Sequence, residues 1–306
     1  MNRQQLKLIA VALAVLLLLW GGSELLSRGS DTVTGSLALP KLSRADVDAI
    51  TIVKGTDTVV LAKLDSAQWT ANGHAAAADA IGELFQAFTD TAPPELVAQS
   101  SGSFARLGVD SAGGRWLRVR HAGKEQLELI LGERGPDYQS AYLRRPGDTH
   151  VYLWRGRLAS VADRTAEGWR DKRIAVLPTD SMTVLDVVRG KDRYRLTRAH
   201  AAWTLSGSRT DSAAVARYLD RLKTITAAGF ALPAARDSVK ARAVRRLSVR
   251  GTRGVLLTLA FDSMASGFLV HHVAGVGGEG ATVYLMHFWD VDGLTPGSRS
   301  LLPPKK

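Results

Sequence analysis

The chain has 306 residues, of which 45% are hydrophobic and 23% charged, and a formal charge of +11. That apolar content can bury two ordinary cores or one large one, and it excludes a chain that is disordered throughout. The absence of cysteine excludes disulfides, thiolate metal sites, a cysteine nucleophile and N-terminal lipoprotein attachment.

The start is basic, with Arg3 and Lys7, and is followed by an unbroken apolar run from Leu8 to Trp20. Counted from Leu6 to Gly22 the span is 17 residues, the lower limit for crossing a hydrocarbon core of about 30 Å. A cleaved secretory signal peptide is the rival, because its apolar region is about 7 to 15 residues long. A leucine-rich centre and no small-x-small pattern through Trp20 to Glu24 favour a retained signal-anchor helix over residues 1–26. Leu8, Leu16, Leu17, Leu18, Leu19 and Trp20 are its membrane-holding residues, with Trp20 suited to the interface. Arg3 and Lys7 predict a cytoplasmic N-terminus and a periplasmic or otherwise extracytoplasmic body. Residues 27–44, with Gly29, Ser30, Gly35, Ser36 and Pro40, read as a tether.

An internal duplication organises the rest. The stretch from Val47 to Gly73 matches Met182 to Gly207: an apolar strand, a Lys54-Gly55 or Arg189-Gly190 turn, an alternating strand, and a tryptophan in a third strand. Trp69 and Trp203 are 134 residues apart. Each half continues into an amphipathic helix, with Ile81, Leu84, Phe85 and Phe88 at helical spacing in one and Val215, Tyr218, Leu219 and Leu222 in the other. Asp79 and Asp211 or Thr210 are the predicted N-caps. Trp116 to His121 and Leu127 to Leu131 correspond loosely to Leu247 to Arg250 and Val255 to Phe261. Val151 to Leu153 and Val283 to Leu285, 132 residues apart, close each unit.

The predicted fold is α+β: an N-terminal transmembrane helix, then two duplicated lobes, each a mostly antiparallel sheet with one main amphipathic helix. The first lobe with its connector spans 45–178, the second 179–300, and 301–306 is a C-terminal tail. Arginines at alternate strand positions, such as Arg118 and Arg120 or Arg246 and Arg250, fit a solvated sheet face. Attraction to anionic headgroups or polymer is the other reading of the basic charge.

The basic-apolar start, the duplicated strand-Gly-strand-Trp unit, Tyr142 and Arg144, the Val151-Tyr152-Leu153 strand and the Trp169-Arg170-Asp171 connector together resemble the bacterial family catalogued as domain of unknown function 4340. The resemblance implies a membrane-anchored envelope protein associated with gliding-motility-type ABC transporter loci. It implies no catalytic residues.

Motifs that carry chemistry are weak. Gly275 to Gly280 satisfies G-x-G-x-x-G, but a dinucleotide site needs a strand before it and a helix after it, whereas both flanks read as strands. A glycine-rich hairpin is expected, with Gly132 to Gly135 as the equivalent turn. His271 and His272 are adjacent, so on a strand they point to opposite faces, and His74, His121, His150, His200 and His287 lack ligand spacing. No nucleophile elbow, S-x-x-K or P-loop motif occurs. No catalytic, metal or cofactor residues are therefore assigned, and no nucleic-acid partner. Trp169, Arg170 and Asp171 are candidates for an inter-lobe or partner contact. The expected role is a non-enzymatic accessory or scaffold component of an ABC-type transport system at the inner membrane, with a permease or companion envelope protein as partner. Alternatives are a binding module for anionic envelope polymer or lipid headgroups, and an envelope hydrolase with an unrecognised site.

Overall fold

The computed structural model describes residues 37, 39–90, 93–137, 139–200, 202–232, 245–277 and 282–304. The expected anchor helix over 1–26, and the tether as far as residue 36, lie outside the described residues. Among the described residues no helix is long and apolar enough to cross a membrane.

The chain divides into two compact units between Gly168 and Trp169. In the first, the elements run β1 (Ala49–Lys54), β2 (Asp57–Lys63), β3 (Trp69–Ala71), β4 (His74–Ala75), α1 (Ala78–Ala87), β5 (Glu95–Ala98) and α2 (Phe104–Leu107). They continue with β6 (Arg115–His121), β7 (Lys124–Arg134), β8 (Ser140–Arg144), β9 (Val151–Arg155), α3 (Leu158–Ala162) and α4 (Ala166–Trp169). The second unit contains β10 (Arg173–Val176), β11 (Met182–Arg189), β12 (Asp192–Ala199), β13 (Ala202–Leu205), β14 (Ser208–Arg209), α5 (Ser212–Lys223), β15 (Thr224–Thr226) and β16 (Gly229–Phe230). It ends with β17 (Arg245–Gly251), β18 (Gly254–Met264), β19 (Gly267–Gly275), β20 (Val283–Met286) and α6 (Phe288–Leu294).

Each unit is built on a nine-stranded antiparallel sheet. The orders are β4-β3-β2-β1-β6-β7-β8-β9-β5 and β14-β13-β12-β11-β17-β18-β19-β20-β16, the same position by position. The fold is thus α+β with two large sheets. One irregularity coincides as well: β6 slips against β7 between Val119 and Arg120, and β17 against β18 between Val249 and Arg250. The hairpins Asn72-Gly73 and Ser206-Gly207 both hold two consecutive residues at positive φ, the twist that suits a two-residue turn.

Alternation explains the sheets. Ile50, Ile52, Val59, Leu61, Leu117 and Val119 are buried in the first, and Leu185, Val187, Leu196, Leu247 and Val249 in the second, as period-two side chains require when one face is inward. On the outward face charges meet across strands: Arg118 and Glu128 are direct register partners and form an ion pair. Asp186 pairs with Arg195 opposite it at 2.6 Å and with Arg250 at 3.3 Å.

The helices cover the inward faces. α1 buries Ile81, Leu84 and Phe85, with Phe85 5.5 Å from the Trp69 ring. α5 buries Val215, Tyr218 and Leu222 within one cluster with Leu185, Leu196 and Leu247. Asp211 caps α5 by accepting hydrogen bonds from the amides of Ala213 and Ala214. The expected Asp79 cap is corrected: α1 begins one residue earlier, Ala77 occupies the cap position without a side-chain bond, and Asp79 lies in the first turn.

Three further expectations change. Each large sheet is wider than the sequence pattern indicates, because the short β4 and β5, or β14 and β16, add backbone pairing at the sheet edges without an apolar run of their own. The connector is split: β10 pairs with β15 of the second unit, so residues after Gly168 belong there. Gly132 is not a turn residue but sits inside β7, where a Cβ would come 2.3 Å from the Leu107 carbonyl oxygen.

Candidate functional site

The first unit contains a cavity of about 660 Å³ between the end of β7, the start of β8, the segment from the end of β9 through α3, and the loop after α2. Its cationic lining is Lys54, Arg115, Arg134, Arg155 and Arg157, against the carboxylates of Asp90, Glu133 and Asp163. Leu131, Gly132, Ala141, Gly156 and Ala159 provide small or apolar wall.

Local structure sets each cation. Arg115 opens β6, opposite Leu131, and its side chain, 14% exposed, pairs with Asp163 just past α3. Arg157 is fixed at its backbone, where its amide donates to Asp90 Oδ2 at 2.8 Å, while its guanidinium reaches Oδ1 of the same residue at 3.2 Å. Arg155 ends β9 and shares Glu95 and Asp137, each at 3.4 Å. Hydrogen bonding from the Ser140 hydroxyl and neighbouring amides holds the Asp137 carboxyl below the usual carboxylate range. Arg134 and Lys54 are exposed, and no carboxylate partner is recorded for either among the described residues.

The second unit has the same positions with different side chains. Arg245 opens β17 opposite Phe261 as Arg115 opens β6 opposite Leu131. Tyr152 faces Leu143 and Tyr284 faces Val270, so Ala141 corresponds to Phe268, and Arg155, Gly156 and Arg157 to His287, Phe288 and Trp289. Phe268 meets Phe261 at 6.5 Å and Phe288 at 5.5 Å, both edge to face. The Arg245 guanidinium lies 4.9 Å from the Phe268 ring centroid and pairs with Asp292. Asp292 also takes Arg189, the counterpart of Lys54, at 3.2 Å. Arg134 pairs with Ala141 and Ser263 with Phe268, so Ser263 takes the place of Arg134.

The connector residues anticipated from sequence lie elsewhere. Trp169 is fully buried. Arg170 stacks on Phe230 with its guanidinium carbon 3.5 Å from the ring centroid, and Asp171 accepts from the Arg173 amide at 2.9 Å; these contacts of Arg170 and Asp171 both fall inside the second unit. Leu8, Leu16 to Leu19 and Trp20 lie outside the described residues. His271 is 3.5 Å from Asp262, and the Nε2 of His272 lies 3.1 Å from the Val276 carbonyl oxygen. Among the described residues no group of three or more histidines and carboxylates is placed to hold a metal. The Gly275 to Gly280 motif starts on the last residue of β19 and its residues 278–280 lie outside the described residues; the next described strand is β20, paired antiparallel to β19. None of the cavity residues was singled out as functional from sequence, where Lys54 and Gly132 figure only as turn residues. The signal was present one step beyond the matched Val151-Tyr152-Leu153 and Val283-Tyr284-Leu285 strands, where Arg155-Gly156-Arg157 faces His287-Phe288-Trp289 in the alignment of the halves.

Comparison with curated proteins gives no match, and comparison with solved structures gives none. Residues 69–245, which run from β3 into the start of β17 and so take in parts of both units, match the family described as a domain of unknown function (DUF4340), and the chain belongs to that family.

Proposed function

We propose that the chain is a membrane-anchored, extracytoplasmic accessory or scaffold component of an ABC-type transport system, acting by binding rather than by chemistry. The observation that carries the binding reading is the cationic cavity of the first unit. Guanidinium groups hold anions but do not exchange protons near neutrality, and two of the three lining carboxylates, Asp90 and Asp163, are engaged by Arg157 and Arg115. The basic start and apolar run of residues 3–20 support the anchor, and family resemblance supplies the transporter partner. The sheet faces carry charge in cross-strand pairs, which favours a concave site over a broad basic face as the place where anions are met.

Purification of the full chain from its own membranes in mild detergent tests the partner. Co-recovery of an ABC-type permease or companion envelope subunit is expected, and its consistent absence contradicts the reading. A reporter enzyme that works only outside the cytoplasm, fused after Lys306, is expected to be active; an inactive fusion of normal abundance contradicts the topology.

A further inference from the structure

We propose that the cavity of the first unit binds one phosphate monoester group, and that the second unit, despite the duplication, carries no second site. The proposal deepens the binding reading above by naming the ligand class, and it stands apart from the identity of any transporter partner.

Size selects the ligand first. About 660 Å³ is far more than a bare phosphate fills and lies within the ~300–1,000 Å³ typical of small-molecule sites. An ester with an organic body fits this space, its body against Leu131, Ala141 and Ala159 and its charge toward the arginine rim.

Charge selects the group. Five cationic side chains line the cavity against three carboxylates, an excess of two, and a phosphate monoester carries about −1.5 to −2 near neutrality. Guanidinium forks match its oxygens two at a time. Arg134 and Lys54 are exposed and uncommitted to a carboxylate among the described residues. Arg155 and Arg157, 54% and 55% exposed, hold their carboxylates at 3.2 to 3.4 Å. Ion pairs of that exposure contribute about 0–1 kcal/mol, so both arginines can turn to a ligand at small cost.

The second unit shows what the same frame looks like when closed. Where the first has Leu131, Ala141 and Gly156, the second has Phe261, Phe268 and Phe288, with the Phe268 ring edge to face with both of the others. Where the first has Arg134, Arg155 and Arg157, the second has Ser263, His287 and Trp289. Its two retained cations, Arg189 and Arg245, converge on Asp292. Among the described residues, added side-chain volume and pairing of the retained cations go together, as expected if space and free charge serve one ligand.

The test is calorimetric titration of the full chain in neutral detergent with glycerol phosphate, beside sedimentation with neutral vesicles carrying phosphatidic acid, whose headgroup is also a monoester. Saturable 1:1 binding, weakened about tenfold or more by Arg134→Gln and by raised salt, is expected. Binding of glycerol phosphate identifies a free ester as the ligand; Arg134-dependent binding of phosphatidic acid vesicles alone identifies a headgroup, and either supports the site. Arg134 is exposed, so its replacement is expected to leave the thermal midpoint unchanged, and Arg157→Gln gives a second variant should it not. No saturable binding in either arm, two equivalents per chain, or affinity indifferent to both substitutions in folded protein overturns the proposal. Loss of transporter co-purification leaves these titrations unaffected, so the two readings fail separately.

Discussion

In the first unit Leu131, Ala141 and Gly156 border open space rimmed by arginine; in the second, Phe261, Phe268 and Phe288 occupy the matching positions and pack on one another. Strand order is the same in both, as is the slip after Val119 and Val249. Beside the cavity, however, the pairing differs: β7 shifts against β8 between Leu131 and Arg134, whereas β18 runs against β19 without a break from Phe261 to Met264. Side-chain volume at three positions differs as well, and a close-packed interior leaves space only where atoms are missing. Gly156 shows how: a Cβ there would lie 2.6 Å from the Trp154 ring, so the buried indole beneath and the missing side chain above belong together.

The contrast can be broken at its core. Trp154→Ala removes a side chain that is 1% exposed and is expected to cost about 3–5 kcal/mol, borne by the first unit. Hydrogen exchange should accelerate in β7 to β9 and stay slow in β18 to β20. Equal acceleration in both would show that the units do not hold their stability separately.

The second unit has its own weak point. The buried Tyr218 hydroxyl donates to the Leu294 carbonyl at 2.9 Å, and Tyr218→Phe is expected to cost about 1–2 kcal/mol by leaving that acceptor unpaired, read by urea denaturation. Burial, and then the nearby Tyr194, raise the Tyr218 phenol well above its ordinary value of 10.0, and burial raises Tyr194 as well. Both stay neutral when folded at a pH where the unfolded chain would ionise them. The stability this represents is whole below about pH 10 and lost as pH rises through the higher folded values. Alkaline titration should thus destabilise the second unit from pH 10 upward, and Tyr218→Phe should make that loss shallower. An unchanged slope in the variant would remove Tyr218 from the effect.

The smallest effects test the helix starts. Asp211→Ala removes two amide acceptors from α5 and is expected to cost about 1 kcal/mol. Ala77, the counterpart in the first unit, has extended backbone and no side-chain cap; Ala77→Asp should add stability, by about 0.5 kcal/mol. Thermal midpoints moving in opposite directions would confirm the asymmetry, and a fall in both would contradict it.

Much of the frame was legible because it rests on period-two alternation and short glycine turns. The Lys54-Gly55 and Arg189-Gly190 hairpins, the two tryptophan strands and the helices carrying Leu84 and Leu222 all lie where the internal repeat puts them. The edge strands were not legible: His74–Ala75 and Gly229–Phe230 are two residues long and owe their conformation to a neighbour. Asp79 misled because an acidic residue in a first turn looks the same in sequence as one at the cap, here two positions earlier at Ala77. The cavity was hidden for another reason. Its lining runs from Lys54 to Asp163, and what defines it is a difference between halves, whereas the repeat was found through their similarity.

A crystal structure of the full chain grown with saturating glycerol phosphate tests the central claim most directly. Phosphate density is expected against Arg134 and Arg157 in the first unit, with the edge-to-face contacts of Phe268 with Phe261 and Phe288 in the second undisturbed. An empty first cavity, or phosphate bound equally beside Arg245, would contradict it.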